Sequence, residues 1–96
     1  MKLLTSYTYG DHLDGDLIPV VIMTHGETTD DLIPALTDDI AQTLAINDGV
    51  TIEDNEGKTI GSDVQSVCEA IANGATTIMV HRTEDTDVYT INDFNP

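Results

Sequence analysis

Apolar positions fall in short runs whose spacing changes along the chain, and each change marks an element. From Lys2 to Tyr9 the chain is rich in Thr and Tyr, with Leu3, Thr5 and Tyr7 on one side of an extended backbone, which predicts a strand. Gly10 to Asp16, with Asp11, Asp14, Gly15 and Asp16, has the composition of a turn. Ile18 to Thr24 then reads as a second strand, with Pro19 at its start or on an edge because proline brings no N–H to the ladder.

The period lengthens after Thr28. A helix is predicted from Thr28–Asp31 to about Ala45, with Asp31 as N-cap so that Pro34 falls at the third helical position, where no intrahelical N–H bond is needed. At about 100° per residue Leu32, Ile33, Leu36, Ile40 and Leu44 gather within about 120° of the helix surface. Asp30, Asp31, Asp38 and Asp39 are expected across the other half, as a row of carboxylates. Asn47-Asp48-Gly49 stops this helix. Val50 to Glu53 and Lys58 to Ile60 flank Asp54-Asn-Glu-Gly57 as a short hairpin. Ser62 and Gln65 form a capping-box pattern for a second helix carrying Val64, Val67, Cys68 and Ile71, ended by Asn73-Gly74. Thr77 to Val80 and Val88 to Ile91 flank Thr83 to Asp87 as a last hairpin, and residues 92–96 trail off. The order ββαββαββ predicts an α+β fold: a small, mostly antiparallel sheet with both helices on one face, in one domain.

Charge narrows the function more than pattern does. Eighteen Asp and Glu stand against Lys2, Lys58 and Arg82, for a formal charge of −15. Direct affinity for nucleic acid or anionic lipid comes from clustered cations, which three dispersed residues do not supply. The natural partner is a basic protein surface, reached quickly through electrostatic steering. With 40% hydrophobic residues in short runs, the chain is expected to fold despite its self-repulsion. One cysteine, Cys68, allows no intrachain disulfide, and the longest apolar run, Ile18 to Met23, is too short to span a membrane, so a cytoplasmic protein is expected.

Candidate chemistry is sparse, and no catalytic residue, cofactor or metal site is predicted. Asp11, Asp14 and Asp16, with His12 between them, lack the register and distal glutamate of a calcium loop and read as a solvated turn, as do Glu53, Asp54 and Glu56. Cys68 lies on the apolar stripe of the second helix and reads as a buried thiol. His81 beside Arg82 in a strand, and His12 in a turn, make no zinc spacing with His25. Thr24-His25-Gly26, after an apolar run, is the best catalytic candidate. Val20-Val-Ile-Met-Thr-His-Gly-Glu27 resembles the active-site segment of the mannose-type sugar phosphotransferase EIIA family and the related dihydroxyacetone kinase phosphotransferase subunit, and Ile60 to Ile71 is similar to a later stretch. That resemblance implies a phosphocarrier whose His25 takes the phosphoryl group, on a parallel sheet of alternating strands and helices.

The acidic surface itself is the remaining candidate: Asp30, Asp31, Asp38 and Asp39 on the first helix, with Glu84, Asp85 and Asp87 at the last turn, as partner-binding residues. In size and charge the chain is similar to small phage-encoded inhibitors, the DNA-mimic anti-restriction and anti-CRISPR proteins. This implies a non-enzymatic inhibitor of a basic nucleic-acid-binding protein, such as a CRISPR effector or restriction enzyme. Adaptation to a saline cytoplasm is the other reading of the charge, supported by abundant Thr and little Lys and opposed by ten isoleucines.

Overall fold

The computed structural model describes residues 1–10 and 21–93. The turn and metal readings at Asp11, His12, Asp14 and Asp16, the strand start at Ile18 with Pro19, and residues 94–96 of the tail lie outside the described residues.

Among the described residues six strands form one antiparallel sheet: β1 (Lys2–Gly10), β2 (Val21–Gly26), β3 (Thr51–Glu53), β4 (Thr59–Gly61), β5 (Thr77–His81) and β6 (Asp85–Asp93), in the order β2-β1-β6-β5-β3-β4. Helices α1 (Ile33–Ile46) and α2 (Val64–Ala72) complete the α+β fold. Pairing of β1 with β6 along all nine positions, Lys2 with Asp93 through Gly10 with Asp85, puts the first and last strands at the middle of the sheet. No described helix is long and apolar enough to cross a membrane.

Strand alternation decides what lies beneath the helices. Leu4 pairs with Ile91, Ile78 with Tyr89 and Ile52 with Val80, so these residues share one face. They join Leu36 and Ile40 of α1 and Val67 and Ile71 of α2 in a single buried cluster. Both helices therefore cover the same side of the sheet, and each fully buried Leu or Ile there contributes about 1.5–3 kcal/mol. The opposite side carries Leu3, Tyr7 and Tyr9 of β1 and Val88 and Thr90 of β6.

Several local expectations shift. Pro34 has no N–H to donate to Asp30, so the chain first makes a 3-10 turn over Thr29–Leu32 and α1 begins only at Ile33. The cap is Thr28, not Asp31; Asp31 is the third residue of the turn and reaches back to accept from Glu27 N (2.9 Å) and Thr28 N (3.0 Å). At α2 the cap is Asp63, one residue past Ser62, and its carboxylate accepts from Ser66 N at 2.7 Å. Asp54 closes the β3–β4 turn by accepting from Glu56 N (2.9 Å) and Lys58 N (3.0 Å), with Gly57 at φ 78°. The last hairpin has longer strands than expected: the turn closes around Thr83 and Glu84 through Arg82 N donating to Asp85 O at 2.8 Å. Asp85 and Asp87 thus belong to β6, which runs on through Asn92 and Asp93.

Candidate functional site: an acidic helical layer

The seven acidic residues singled out from the sequence divide into those the fold employs and those it leaves facing solvent. Asp30 and Asp38 are exposed on the helical side of the molecule. Asp38 accepts from the Gln42 side chain one turn on, at 3.3 Å. Asp31 is also exposed, but its capping bonds are spent on the backbone, and the Thr28 N–H holds its carboxyl below the usual carboxylate range.

Asp39 departs from the predicted solvent row. It is half-buried and accepts the phenol hydrogen of Tyr89, which is 3% exposed on the helical face of β6. Burial, and next the hydrogen bond to Asp39, push the Tyr89 hydroxyl far above the ordinary tyrosine range, so it stays a donor. The helical angle contained this signal: at about 100° per residue Asp39 points about 20° from Leu32, at the edge of the apolar arc and not opposite it.

Asp85 and Asp87 sit on the same face as Tyr89 and Ile91, since strand residues two apart share a side. Arg82 Nη2 donates to Asp87 Oδ1 at 2.9 Å and lies 3.8 Å from Asp85 Oδ2. The Thr8 hydroxyl donates to Asp87 at 2.7 Å from the paired position on β1. Asp87 is thus a half-buried structural acceptor, and Asp85, also half-buried, is an ion-pair neighbour of the same guanidinium. Glu84 is exposed at the turn. Lys2 is taken up as well, donating to Asp93 at 2.5 Å and drawing the Asp93 carboxyl below the usual range.

Two arrangements were not legible in the sequence. On the helix-free face, His81 links Glu53 of β3 to Thr86 of β6: Nε2 pairs with the Glu53 carboxylate and Nδ1 meets the Thr86 hydroxyl at 3.0 Å. Carboxylate, imidazole and hydroxyl stand in a row, but Thr86 is 9% exposed, so its hydroxyl is closed off from a substrate and the row ties three strands together. The second is a shallow, mainly apolar slot between the helices, lined by Ile33, Pro34, Cys68, Ile71 and Ala72 with Asp30 on its rim. Cys68 is accordingly half-buried at a surface groove, not sealed in the core.

His25 lies within β2, opposite Leu3, with its side chain exposed on a strand of an antiparallel sheet. Among the described residues no group of three or more His, Cys, Asp or Glu side chains is arranged to hold a metal ion. No family model matches this chain, and neither a curated protein nor a solved structure matches it.

Proposed function

We propose that this chain is a non-enzymatic inhibitor that lays its acidic helical layer on the basic, nucleic-acid-binding surface of a host defence protein of the CRISPR-effector or restriction-enzyme kind. One observation carries the reading. The fold takes up two of the three cations and leaves helical carboxylates outside: Lys2 is held by Asp93 and Arg82 by Asp87, Lys58 stays exposed on the β3–β4 turn, and among the described residues no cation pairs with Asp30 or Asp38. Asp30 and Asp38 thus face outward on the helical side as carboxylates that no capping bond or cation employs.

The magnitude supports an imitation of nucleic acid. Without Asp11, Asp14 and Asp16 the described residues carry a net charge of −12, which along a long axis of 35 Å amounts to about one per 3 Å, against about one per 1.7 Å of duplex DNA. A surface evolved to hold phosphates meets a similar field, and its arginines can take carboxylates in bidentate pairs. The slot beside Asp30 suits such residues, because the aliphatic stems of Arg and Lys cover apolar surface while their charged ends reach the rim. Asp30 and Asp38 are the central contacts in this reading, with Asp31 beside them and Glu84 peripheral. Asp39, Asp85 and Asp87 contribute field more than contact.

Recovery of bound proteins from host lysate with the tagged chain, at low and high salt, tests the proposal. A nucleic-acid enzyme released by salt or by competing DNA is the expected result, and the double variant Asp30→Asn, Asp38→Asn should retain its fold and recover much less. Recovery of sugar-transport phosphotransfer proteins, with phosphate on His25, would replace this reading with a phosphocarrier. Unfolding in dilute buffer, with structure regained in molar salt, would attribute the charge to saline adaptation.

A further inference from the structure

The same alternation that gathers carboxylates under the helices clears them from the other side of the sheet. On β6, Asp85, Asp87 and Asp93 all fall on the helical face, and the positions between them are Thr86, Val88, Thr90 and Asn92. Among the described strand residues turned to the helix-free face, Glu53 is the one carboxylate, and His81 is paired with it. In a chain of net charge −15, this is the side of the sheet on which the described strands place fewest carboxylates.

It is also apolar at its centre. Val88 is 3% exposed yet stands apart from the main core, in register between Tyr7 of β1 and Met79 of β5. Tyr7 and Tyr9 stack with ring centroids 6.2 Å apart, Leu3 lies on the same side of β1, and Ile22 on edge strand β2 is 63% exposed opposite Thr5. No described helix covers this side. Rigid tyrosines around a desolvated aliphatic centre are the composition of an interface core with its rim.

We infer that two copies of this chain associate face to face through this side of the sheet, a two-fold sandwich with both acidic helical layers outward. The area suffices for a weak dimer. At about 3.3 Å per residue and about 4.8 Å between strands, β1, β2, β3, β5 and β6 present about 500 Å² in projection. A pair therefore buries at most about 1,000 Å², since Val88 and Thr86 are already covered within one chain, which is the size of a weak interface. Repulsion does not forbid it. Packed sheets lie about 10 Å apart and each helix layer adds about another 10 Å, which separates the two helical layers by about 30 Å, more than three Debye lengths at physiological salt. A second copy suits this face better than a basic partner does, because a basic partner would find its counter-charges on the helical side.

This association is independent of the inhibitor reading, and salt distinguishes them: binding of a basic partner weakens as salt rises, whereas the dimer tightens as the residual repulsion is screened. Sedimentation velocity across a concentration series at 50 and 500 mM salt is the test. The expected result is a monomer–dimer equilibrium with several-fold tighter association at the higher salt, lost in Tyr7→Asp and in Met79→Asp and kept in Asp30→Asn. Circular dichroism on each variant separates loss of association from loss of fold. A spin label on Cys68, the single cysteine, adds a geometric readout: across this dimer the labels lie about 30 Å apart or more, whereas a dimer through the helices would bring them much closer. A monomer at all concentrations and both salts, unchanged association in both variants, or a short label distance would overturn the inference.

Discussion

Two adjacent aspartates on α1 should respond very unequally to the same change. Asp39→Ala removes the acceptor of the Tyr89 hydroxyl and leaves that hydroxyl unsatisfied at a site that is 3% exposed. A hydrogen bond to a charged group contributes about 1.5–3 kcal/mol net, and an orphaned buried donor costs about 1–3 kcal/mol. These describe the same loss from its two sides, so the expected destabilisation is about 2–3 kcal/mol. For a domain of this size that lowers Tm by about 10–15 °C. Asp38→Ala, one residue earlier, removes an exposed carboxylate whose described partner is a 3.3 Å contact with Gln42, and should stay within about 0.5 kcal/mol. Urea denaturation of both variants, closed into a double-mutant cycle with Tyr89→Phe, measures the difference. A coupling of about 1–2 kcal/mol between positions 39 and 89, and none between 38 and 89, is predicted. Equal effects at the two aspartates, or additive behaviour at 39 and 89, would refute the assignment of Asp39 to the fold.

Other substitutions probe the elements that place the acidic layer. In Gly26→Ala the new methyl would collide with Cβ of Asp31, displacing its capping bonds, and a loss of about 1–3 kcal/mol is expected by thermal melting, with Gly57→Ala serving as a strained turn control elsewhere. Ile40→Ala opens a cavity where α1 meets the sheet and should cost about 2–5 kcal/mol in denaturant titration without altering the charge of the outer face. Asp31, Asp63 and Asp93 have folded-state carboxyls held below their ordinary range by N–H groups of Thr28 and Ser66 and by Lys2. Their stabilisation is therefore complete above about pH 4, the unfolded range, and lost as pH falls further through the folded values. Melting temperatures should drop below about pH 4, and the drop should shrink in Asp63→Asn.

How far the sequence foretold this molecule depends on how local each feature is. The apolar period of α1, its stop at Asn47-Asp48-Gly49 and the antiparallel hairpins were legible because each is set by neighbours within a few residues. The α2 cap was displaced by one residue since Ser62 and Asp63 both offer an oxygen, and the aspartate at 63 is the one that reaches Ser66 N. The strand assignment of Asp85 and Asp87 escaped because it depends on Arg82 and on Thr8 from the far end of the chain. Composition alone read those carboxylates as a turn. The pairing of β1 with β6, which builds the centre of the sheet, is a contact between the two ends of the chain and leaves no local trace.

For the acidic site the same distinction holds. Asp38 was placed on the exposed side by helical angle, Asp30 is exposed on the 3-10 turn ahead of α1, and Asp39 was misplaced by treating charge as a sign of exposure when its angle put it beside Leu32. The segregation of charge between the two faces follows from strand parity, yet it becomes readable only when register fixes which parity faces the helices. Glu53, His81 and Thr86 come from three strands, and no sequence spacing joins them.

The most direct test of the central claim is displacement of DNA or guide RNA complexes from purified restriction enzymes and CRISPR effectors by increasing amounts of this protein, read by fluorescence anisotropy at two salt concentrations. Stoichiometric loss of nucleic-acid binding by at least one such enzyme is predicted, with salt weakening the inhibition and Asp30→Asn with Asp38→Asn reducing it while the melting temperature holds. Displacement of none of them, or inhibition unchanged by the double substitution and by salt, would contradict the claim that the exposed helical carboxylates act in place of phosphates.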